Sequence, residues 1–202
     1  MPVTSNVRLG GNVSSEGYSD QKLAEVTMGE RKELNSTINL VEYDPAWPRR
    51  FEEIEKQVRG VLGNLVVLLE HVGSTSVPGL LAKPIIDAVL EVECAANEQA
   101  YIPALENEGF ILRIREPDWF EHRLLKLKDV NLHVFSANCE ETARMLRFRD
   151  WLRSNADDRR LYQQTKEVLA KQVWKHTQNY ADTKTAVVED IMSRAMSSTR
   201  GG

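Results

Sequence analysis

Residues 71–92 read HVGSTSVPGLLAKPIIDAVLEV, in which a loop of small polar residues leads into an apolar segment. Segment 85–92 is typical of a buried strand, and loop 73–84 is rich in Gly, Ser, Thr and Pro. Glycine lets the backbone approach a ligand closely, while hydroxyl and backbone N–H groups hold anions. We therefore expect a loop that binds phosphate or a nucleotide. Its members are Gly73, Ser74, Thr75 and Lys83.

A carboxylate, Asp87, interrupts the apolar run 85–90. Burying a carboxylate is costly unless a cation or a basic side chain pairs with it. Mg²⁺ suits this position because it binds one or two carboxylates together with substrate phosphates. We predict that Asp87 is catalytic and is the main Mg²⁺ ligand of a site for phosphoryl or nucleotidyl transfer. The alternative is a plain connecting loop, with Asp87 in a salt bridge to Lys83 or Arg123.

The periodicity on both sides of this segment alternates between strand and helix. The predicted strands are 65–69, 85–92, 110–115, 120–127 and 130–135. The predicted helices are 48–62, 95–108, 139–154, 157–173 and 178–195. This order predicts an α/β or α+β fold, with a mostly mixed sheet of about five strands and helices before, within and after it.

The two ends of the chain differ in composition from its middle. Residues 1–37 contain many turn-forming residues, so we expect a flexible leader with a short helix at 20–28. We expect one folded domain over residues 38–196 and a disordered tail over residues 197–202.

The overall composition excludes several classes of protein. The 202 residues carry 26 Lys and Arg against 30 Asp and Glu, and the net charge of −4 argues against a dedicated nucleic-acid binder. Two cysteines are too few for a disulfide framework. No apolar run approaches the roughly 18 residues of a membrane span. We expect a soluble, cytoplasmic protein that has no membrane partner.

The motif of residues 71–80 and 82–87 resembles the signature of the GrpB-like family of the nucleotidyltransferase superfamily. The likeness extends over about residues 40–195, and further matching segments are 43–45, Trp47, 131–135, 146–153, Tyr180 and Lys184. The resemblance implies a nucleotidyltransferase-like fold in which a Gly-Ser turn holds the nucleotide phosphates and two or three carboxylates hold Mg²⁺. In some bacteria a similar domain is fused to dephospho-coenzyme A kinase.

The chain departs from the superfamily pattern at its carboxylates. The second residue after Asp87 is Val89, and Glu91 shares the face of Asp87 but lies about 13 Å farther along the strand. The adjacent strand offers Asn131 and His133 but no acid. A two-metal site is therefore not visible. What remains is a one-metal site of Asp87 and His133, or a pocket that binds a phosphorylated ligand without chemistry.

Three further residues are candidates for the same cleft. His133 is predicted to be a catalytic residue and second metal ligand, the alternative being an ordinary core histidine. Arg123 is predicted to clamp phosphate with its planar guanidinium group. Arg147, in an arginine-rich helix, is predicted to line the cleft together with Lys184, the alternative being a solvated basic face. We expect His71 to orient the loop by hydrogen bonding.

We therefore expect a GrpB-like protein that binds a nucleotide or another phosphorylated small molecule with Mg²⁺. The sequence leaves open whether it is an enzyme, namely a magnesium-dependent nucleotidyltransferase. The alternative is a non-catalytic module with a degenerate metal site, which binds a ligand or scaffolds a partner.

Overall fold

The computed structural model describes residues 19–30 and 34–198. Its strands are β1 (Leu68–Val72), β2 (Ile86–Val92), β3 (Ile111–Glu116), β4 (His122–Leu127) and β5 (Val130–Ser136). Its helices are α1 (Asp20–Val26), α2 (Trp47–Leu62), α3 (Ile102–Asn107), α4 (Glu140–Ser154), α5 (Ala156–Ala170), α6 (Thr177–Thr183) and α7 (Thr185–Ser198). None of these helices is long and apolar enough to cross a membrane.

The five strands form one mixed sheet in the order β1-β2-β5-β4-β3. Strands β2 and β5 are parallel, and the other neighbouring pairs are antiparallel. In this register Asp87 of β2 lies between Val72 of β1 and Asn131 of β5. The predicted mixed five-stranded sheet is confirmed.

Helices cover both faces of the sheet. On one face, Leu90 and Leu132 pack against Ile54 and Val58 of α2, which recur four residues apart along an amphipathic helix. On the other face, Val89 and Phe135 contact an apolar cluster from the carboxyl-terminal helices, with members Met145, Phe148, Leu152, Tyr162, Val188, Ile191 and Met192. Because side chains alternate along a strand, Asp87 lies on the same face as Val89. The carboxyl-terminal helices therefore enclose it.

Three predicted boundaries are wrong. Strand β1 begins at Leu68 rather than at residue 65, because Gly63–Leu65 forms a helical turn and Val67 is exposed. The predicted helix 95–108 is reduced to the turn Glu98–Ala100 and the short helix α3. The predicted helix 178–195 is broken at Lys184, which separates α6 from α7.

Part of the expected leader belongs to the fold. Helix α1 starts with Ser19 as its N-cap, and its residues Leu23 and Val26 pack against Ile114 and Leu124 of the sheet. Residues 1–18 and 31–33 of the leader lie outside the described residues. Of the expected tail, residues 197 and 198 end helix α7, and residues 199–202 lie outside the described residues.

Candidate functional site

A pocket opens beside Asp87, between the loop after β1 and the carboxyl-terminal helices. It is lined by Leu40, Gly73, Ser74, Thr75, Val77, Ala82, Lys83, Ile85, Asp87, Phe148, Arg149, Leu152, Tyr162, Lys166, Tyr180 and Lys184. We call it the lysine-rich pocket, after Lys83, Lys166 and Lys184. Its volume is about 40 Å³. One water needs roughly 10–15 Å³, so the cavity accepts a few waters or one group of the size of a phosphate.

Gly73 brings the loop into close contact with Asp87. Its φ angle is 69°, in the left-handed region that favours glycine. A Cβ atom at this position would lie 2.6 Å from Oδ2 of Asp87, which is closer than atoms pack. A glycine is therefore needed here for the loop and strand β2 to meet.

A network of hydrogen bonds holds the rest of the loop. The Thr75 hydroxyl donates to the Ile85 carbonyl at 3.1 Å and lies 3.0 Å from Nε2 of His71. Since the hydroxyl proton is already used, Nε2 of His71 donates to Thr75. Burial lowers the pKa of His71 to about 4, so this ring is neutral. His71 thus orients the loop by hydrogen bonding, as the sequence predicted.

Asp87 has one hydrogen-bond donor close to it and several positive charges around it. Nδ2 of Asn131 donates to its Oδ1 at 2.7 Å, and 16% of the Asp87 side chain remains exposed. Burial raises the pKa of Asp87 to about 6, against the opposing effects of Asn131, Lys83 and Lys184. The carboxylate is thus the negative member of a cationic cluster. Gly73, Ser74, Thr75, Lys83 and Lys184 line the same pocket as Asp87, and their binding of phosphate stays a prediction.

Among the residues that the structure describes, the buried Nζ of Lys83 has no hydrogen-bond partner, and the buried Tyr180 hydroxyl has none either. Both side chains line the lysine-rich pocket. Lys184 is 3% exposed and places its Nζ 4.4 Å from the centre of the Tyr180 ring. Burial lowers the pKa of Lys83 to about 7 and that of Lys184 to about 8. Within the described chain the pocket therefore holds one buried amine, that of Lys83, and one buried hydroxyl, that of Tyr180, without hydrogen-bond partners.

Lys166 is a site residue that sequence reasoning missed. It is 2% exposed, and its Nζ donates to Oγ of Ser74 at 3.1 Å and to the Leu81 carbonyl. Tyr162 lies beneath the same Nζ, 5.0 Å away at its ring centre. The available signal was position: Lys166 follows Tyr162 by four residues and precedes Leu169 by three, on the buried stripe of α5.

His133 ends a buried chain of hydrogen bonds. Its Nε2 is 4.0 Å from Oδ1 of Asp87, so the structure brings these two predicted residues together. Its Nδ1 is 3.1 Å from Nε2 of His122, whose Nδ1 is 2.7 Å from Glu116. Burial lowers the pKa of His133 well below its ordinary value and raises that of Glu116 to about 8. The chain fixes the orientation of the His133 ring beside the pocket.

The structure does not place Arg123 in the pocket. Arg123 pairs with Val134 across the sheet, whereas His122 lies on the face of His133 and Asp87. The guanidinium of Arg123 is buried on the other side of the sheet, where its Nε donates to Glu98 at 2.5 Å. The strand alternation makes His122 the residue that faces the site, so the prediction for Arg123 is wrong.

Arg147 is also outside the pocket. It is exposed, because Phe148 and Leu152 set the buried side of α4 and Arg147 points away from them. Arg149, two residues farther on, lines the pocket instead, and its Nη1 donates to Glu70 at 2.8 Å and to the His71 carbonyl at 2.9 Å. Two residues turn a helix by about 200°, so Arg149 faces the pocket and Arg147 faces away from it.

The described residues do not fit a magnesium ion held by protein ligands. Among them, no group of three or more His, Cys, Asp and Glu side chains is arranged to hold a metal ion. Asp87 is the only carboxylate that lines the pocket within the described chain, and Lys83 and Lys184 raise the positive charge beside it. Glu91, the other acid of β2 on this face, accepts the backbone N–H groups of Asn138 and Cys139 at the start of α4.

Three comparisons with known proteins match most of the chain. Residues 37–194 match the family model described as GrpB protein. The UPF0157 protein BH1888 of Halalkalibacterium halodurans is 55% identical over 184 residues, which cover 90% of this chain and 94% of that protein. The crystal structure of the conserved protein GrpB from Enterococcus faecalis is 29% identical, with a TM-score of 0.68, over 80% of this chain and 99% of that one.

Two more distant likenesses are partial. A dephospho-CoA kinase of Mycolicibacterium paratuberculosis is 30% identical over 83 residues, which cover 40% of this chain and 20% of that protein. The structure of Cid1 in complex with the UTP analog UMPNPP is 12% identical, with a TM-score of 0.38, over 73% of this chain and 44% of that one. At this level the likeness to Cid1 carries no argument about the ligand of this chain.

Proposed function

The chain belongs to the GrpB family, and from this premise and the site we propose that it binds a phosphorylated small molecule in the lysine-rich pocket. One observation carries the proposal. Lys83, Lys166 and Lys184 line a small cavity with Asp87 as its acid, and the Nζ of Lys83 has no hydrogen-bond partner within residues 19–30 and 34–198. A buried ammonium group is costly unless an anion pairs with it.

Size and chemistry both favour a phosphate group in this cavity. The volume of about 40 Å³ accepts such a group, and the rest of a larger ligand lies outside the mouth. Lys83, Lys184 and the Tyr180 hydroxyl supply donors for its oxygens. A nucleotide is one ligand of this kind, with its base and ribose beyond the cavity.

Binding calorimetry with inorganic phosphate, AMP and ATP tests the proposal. We expect phosphate or a phosphorylated ligand to bind the wild type in the presence of EDTA, since the lysines rather than a metal supply the positive charge. Lys83→Met should weaken binding at least tenfold. Lys56→Met, which removes an exposed lysine of α2, is the matched control and should bind as the wild type does. Equal affinity in the two variants would refute the assignment.

The same calorimetry tests whether Mg²⁺ takes part in ligand binding. If EDTA abolishes binding and Asp87→Asn does the same, the ion takes part with the ligand phosphates, as the sequence resemblance implies. If binding is indifferent to EDTA, the pocket acts without a metal. The absence of a second acid from the described lining residues favours the second outcome, and it also favours the alternative of a binding module without nucleotidyl transfer.

We also propose the cytoplasm as the location of the protein. Cys94 and Cys139 both carry free thiols, which suits a reducing compartment. Fractionation of cells that produce the full chain would test this location.

A further inference from the structure

We propose that Ser74 is a nucleophile activated by Lys166, and that it accepts a phosphoryl group from the bound ligand. This inference rests on the proposed function, because the same pocket must first hold the phosphorylated molecule. It goes further in naming a covalent step and the two residues that carry it out.

The position of Ser74 suits a nucleophile. It begins the helical turn Ser74–Ser76 directly after Gly73, is half-buried, and lines the lysine-rich pocket. Its Oγ is 3.1 Å from Nζ of Lys166. A serine hydroxyl needs an adjacent base to become nucleophilic, and a lysine amine serves in that role in some Ser-Lys enzymes.

The surroundings of Lys166 favour its neutral, basic form. Within the described chain its hydrogen bonds go to neutral oxygens, those of Ser74 and Leu81, and its other close neighbour is the Tyr162 ring. Burial lowers the pKa of Lys166 well below its ordinary value, and the charge of Lys184 lowers it further. The neutral amine has two N–H groups and a lone pair, so the contact in which Nζ donates to Oγ of Ser74 can be reversed. Nζ then accepts the Ser74 proton while it still donates to the Leu81 carbonyl.

Lys83 and Lys184 have a different task in this step. They lie in the same pocket, but neither forms the contact that Lys166 makes with Ser74. Their ammonium groups stabilise the phosphoryl oxygens, where negative charge is spread during transfer. Lys166 thus takes the proton of Ser74, whereas Lys83 and Lys184 stabilise the negative charge of the phosphoryl group.

The step balances without a metal or another reactant. The Oγ atom of Ser74 attacks phosphorus and forms a Ser–O–P bond as the bond from phosphorus to the leaving oxygen breaks. The hydroxyl proton of Ser74 passes to Nζ of Lys166 and from there to the leaving oxygen. The products are phosphoserine 74 and the free alcohol or acid of the donor.

The test uses the full chain with acetyl phosphate in EDTA. We expect intact-mass spectrometry to show the addition of one phosphoryl group, and peptide mapping to place it on Ser74. Ser74→Ala should give no adduct, whereas the matched control Ser76→Ala, whose hydroxyl only donates to the Gly73 carbonyl, should still react. Lys166→Arg places a permanently charged guanidinium group there, which is no base at neutral pH, and should slow the reaction by about 10²–10⁴-fold.

The outcomes separate this inference from the proposed function. If inorganic phosphate binds in a Lys83-dependent way but the wild type is not modified on Ser74, the nucleophile is refuted and the binding function stands. If phosphate does not bind, a fluorophosphonate probe decides, since it forms a Ser–O–P bond without an anion site. Labelling of Ser74 that Lys166→Arg abolishes would support the nucleophile alone, and absence of labelling would refute it.

Discussion

At the scale of single residues, Gly73 leaves no room for a side chain beside Asp87. A Cβ atom on residue 73 would lie 2.6 Å from Oδ2 of Asp87, and the φ angle of 69° is strained for any other residue. The sequence indicated that the backbone at Gly73 approaches a ligand closely, because a glycine before two hydroxyl residues is typical of a loop that meets a ligand. It did not indicate that the loop meets a carboxylate of the protein itself.

We therefore expect Gly73→Ala to lower the free energy of unfolding by about 1–3 kcal/mol. Gly79→Ala is the matched control, because Gly79 has a φ angle of 76° but a Cβ atom added there would have no neighbouring atom within 4 Å. It carries the backbone strain without the clash, so its effect should be smaller in urea denaturation. Equal effects of the two substitutions would show that backbone strain alone, without the clash with Asp87, causes the loss of stability.

Lys83 leads to a prediction that depends on pH. Burial lowers its pKa to about 7 from 10.5, so the folded state binds the proton less tightly than the unfolded state does. The charged Lys83 side chain therefore destabilises the folded state most strongly below pH 7. This destabilisation decreases as the pH rises towards 10.5. Lys83→Met should therefore be more stable than the ligand-free wild type by about 1–4 kcal/mol at pH 6. Thermal denaturation from pH 6 to 9 should show the difference shrinking; a constant difference would contradict a buried charge.

At the scale of secondary structure, Glu91 joins β2 to the start of α4. Its two carboxylate oxygens each accept one backbone N–H group at 3.1 Å, from Asn138 and Cys139. Such a carboxylate satisfies unpaired amides at a helix start and interacts favourably with the helix dipole. The sequence placed Glu91 on the face of Asp87 but indicated no partner for it, since its partners follow more than forty positions later in the chain.

Replacing Glu91 tests this connection. We expect Glu91→Gln to destabilise the protein by about 1–2 kcal/mol, because one amide loses its acceptor and the helix start loses a negative charge. Glu140→Gln removes the same charge from an exposed residue in the first turn of α4 and should change the stability by less than about 0.5 kcal/mol. Chemical denaturation of both variants gives the comparison.

The elements that sequence patterns located well are those with simple periodicity. Helices α2, α4 and α5 and strands β2 to β5 begin within two residues of their predicted positions. Strand β1 was displaced, because the apolar run 65–69 begins in a helical turn and the strand continues through the polar pair Glu70 and His71, whose hydrogen bonds to Arg149 and Thr75 the pattern does not show. Lys166 was missed for a similar reason. Its role depends on the contact with Ser74 of the loop, which the helical pattern of α5 does not show.

At the scale of the whole molecule, helix α1 extends the core beyond the residues matched by the family model. Leu23 is 7% exposed and packs with Val26 against the β3–β4 side of the sheet. The composition of residues 1–37 predicted a leader, because turn formers dominate that region and short apolar pairs give little periodic signal. The fold class, by contrast, followed from the order of strands and helices alone.

The contribution of α1 can be measured. We expect Leu23→Ala to reduce the free energy of unfolding by about 2–3 kcal/mol, since it removes a buried side chain. Leu161→Ala, at a position of α5 that is 38% exposed, should cost less than about 0.5 kcal/mol. If urea denaturation gave the same small value for both, α1 would not be part of the cooperative unit.

The break between α6 and α7 gives the lysine-rich pocket a particular order of assembly. Lys83 belongs to the loop before β2, Lys166 to α5, and Lys184 to the junction that the break creates. Under the proposed function, a nascent chain can therefore bind the anion only after Lys184 has left the ribosome. The ligand then stabilises the folded state only of chains that include Lys184. Chains that terminate before this residue receive no such stabilisation.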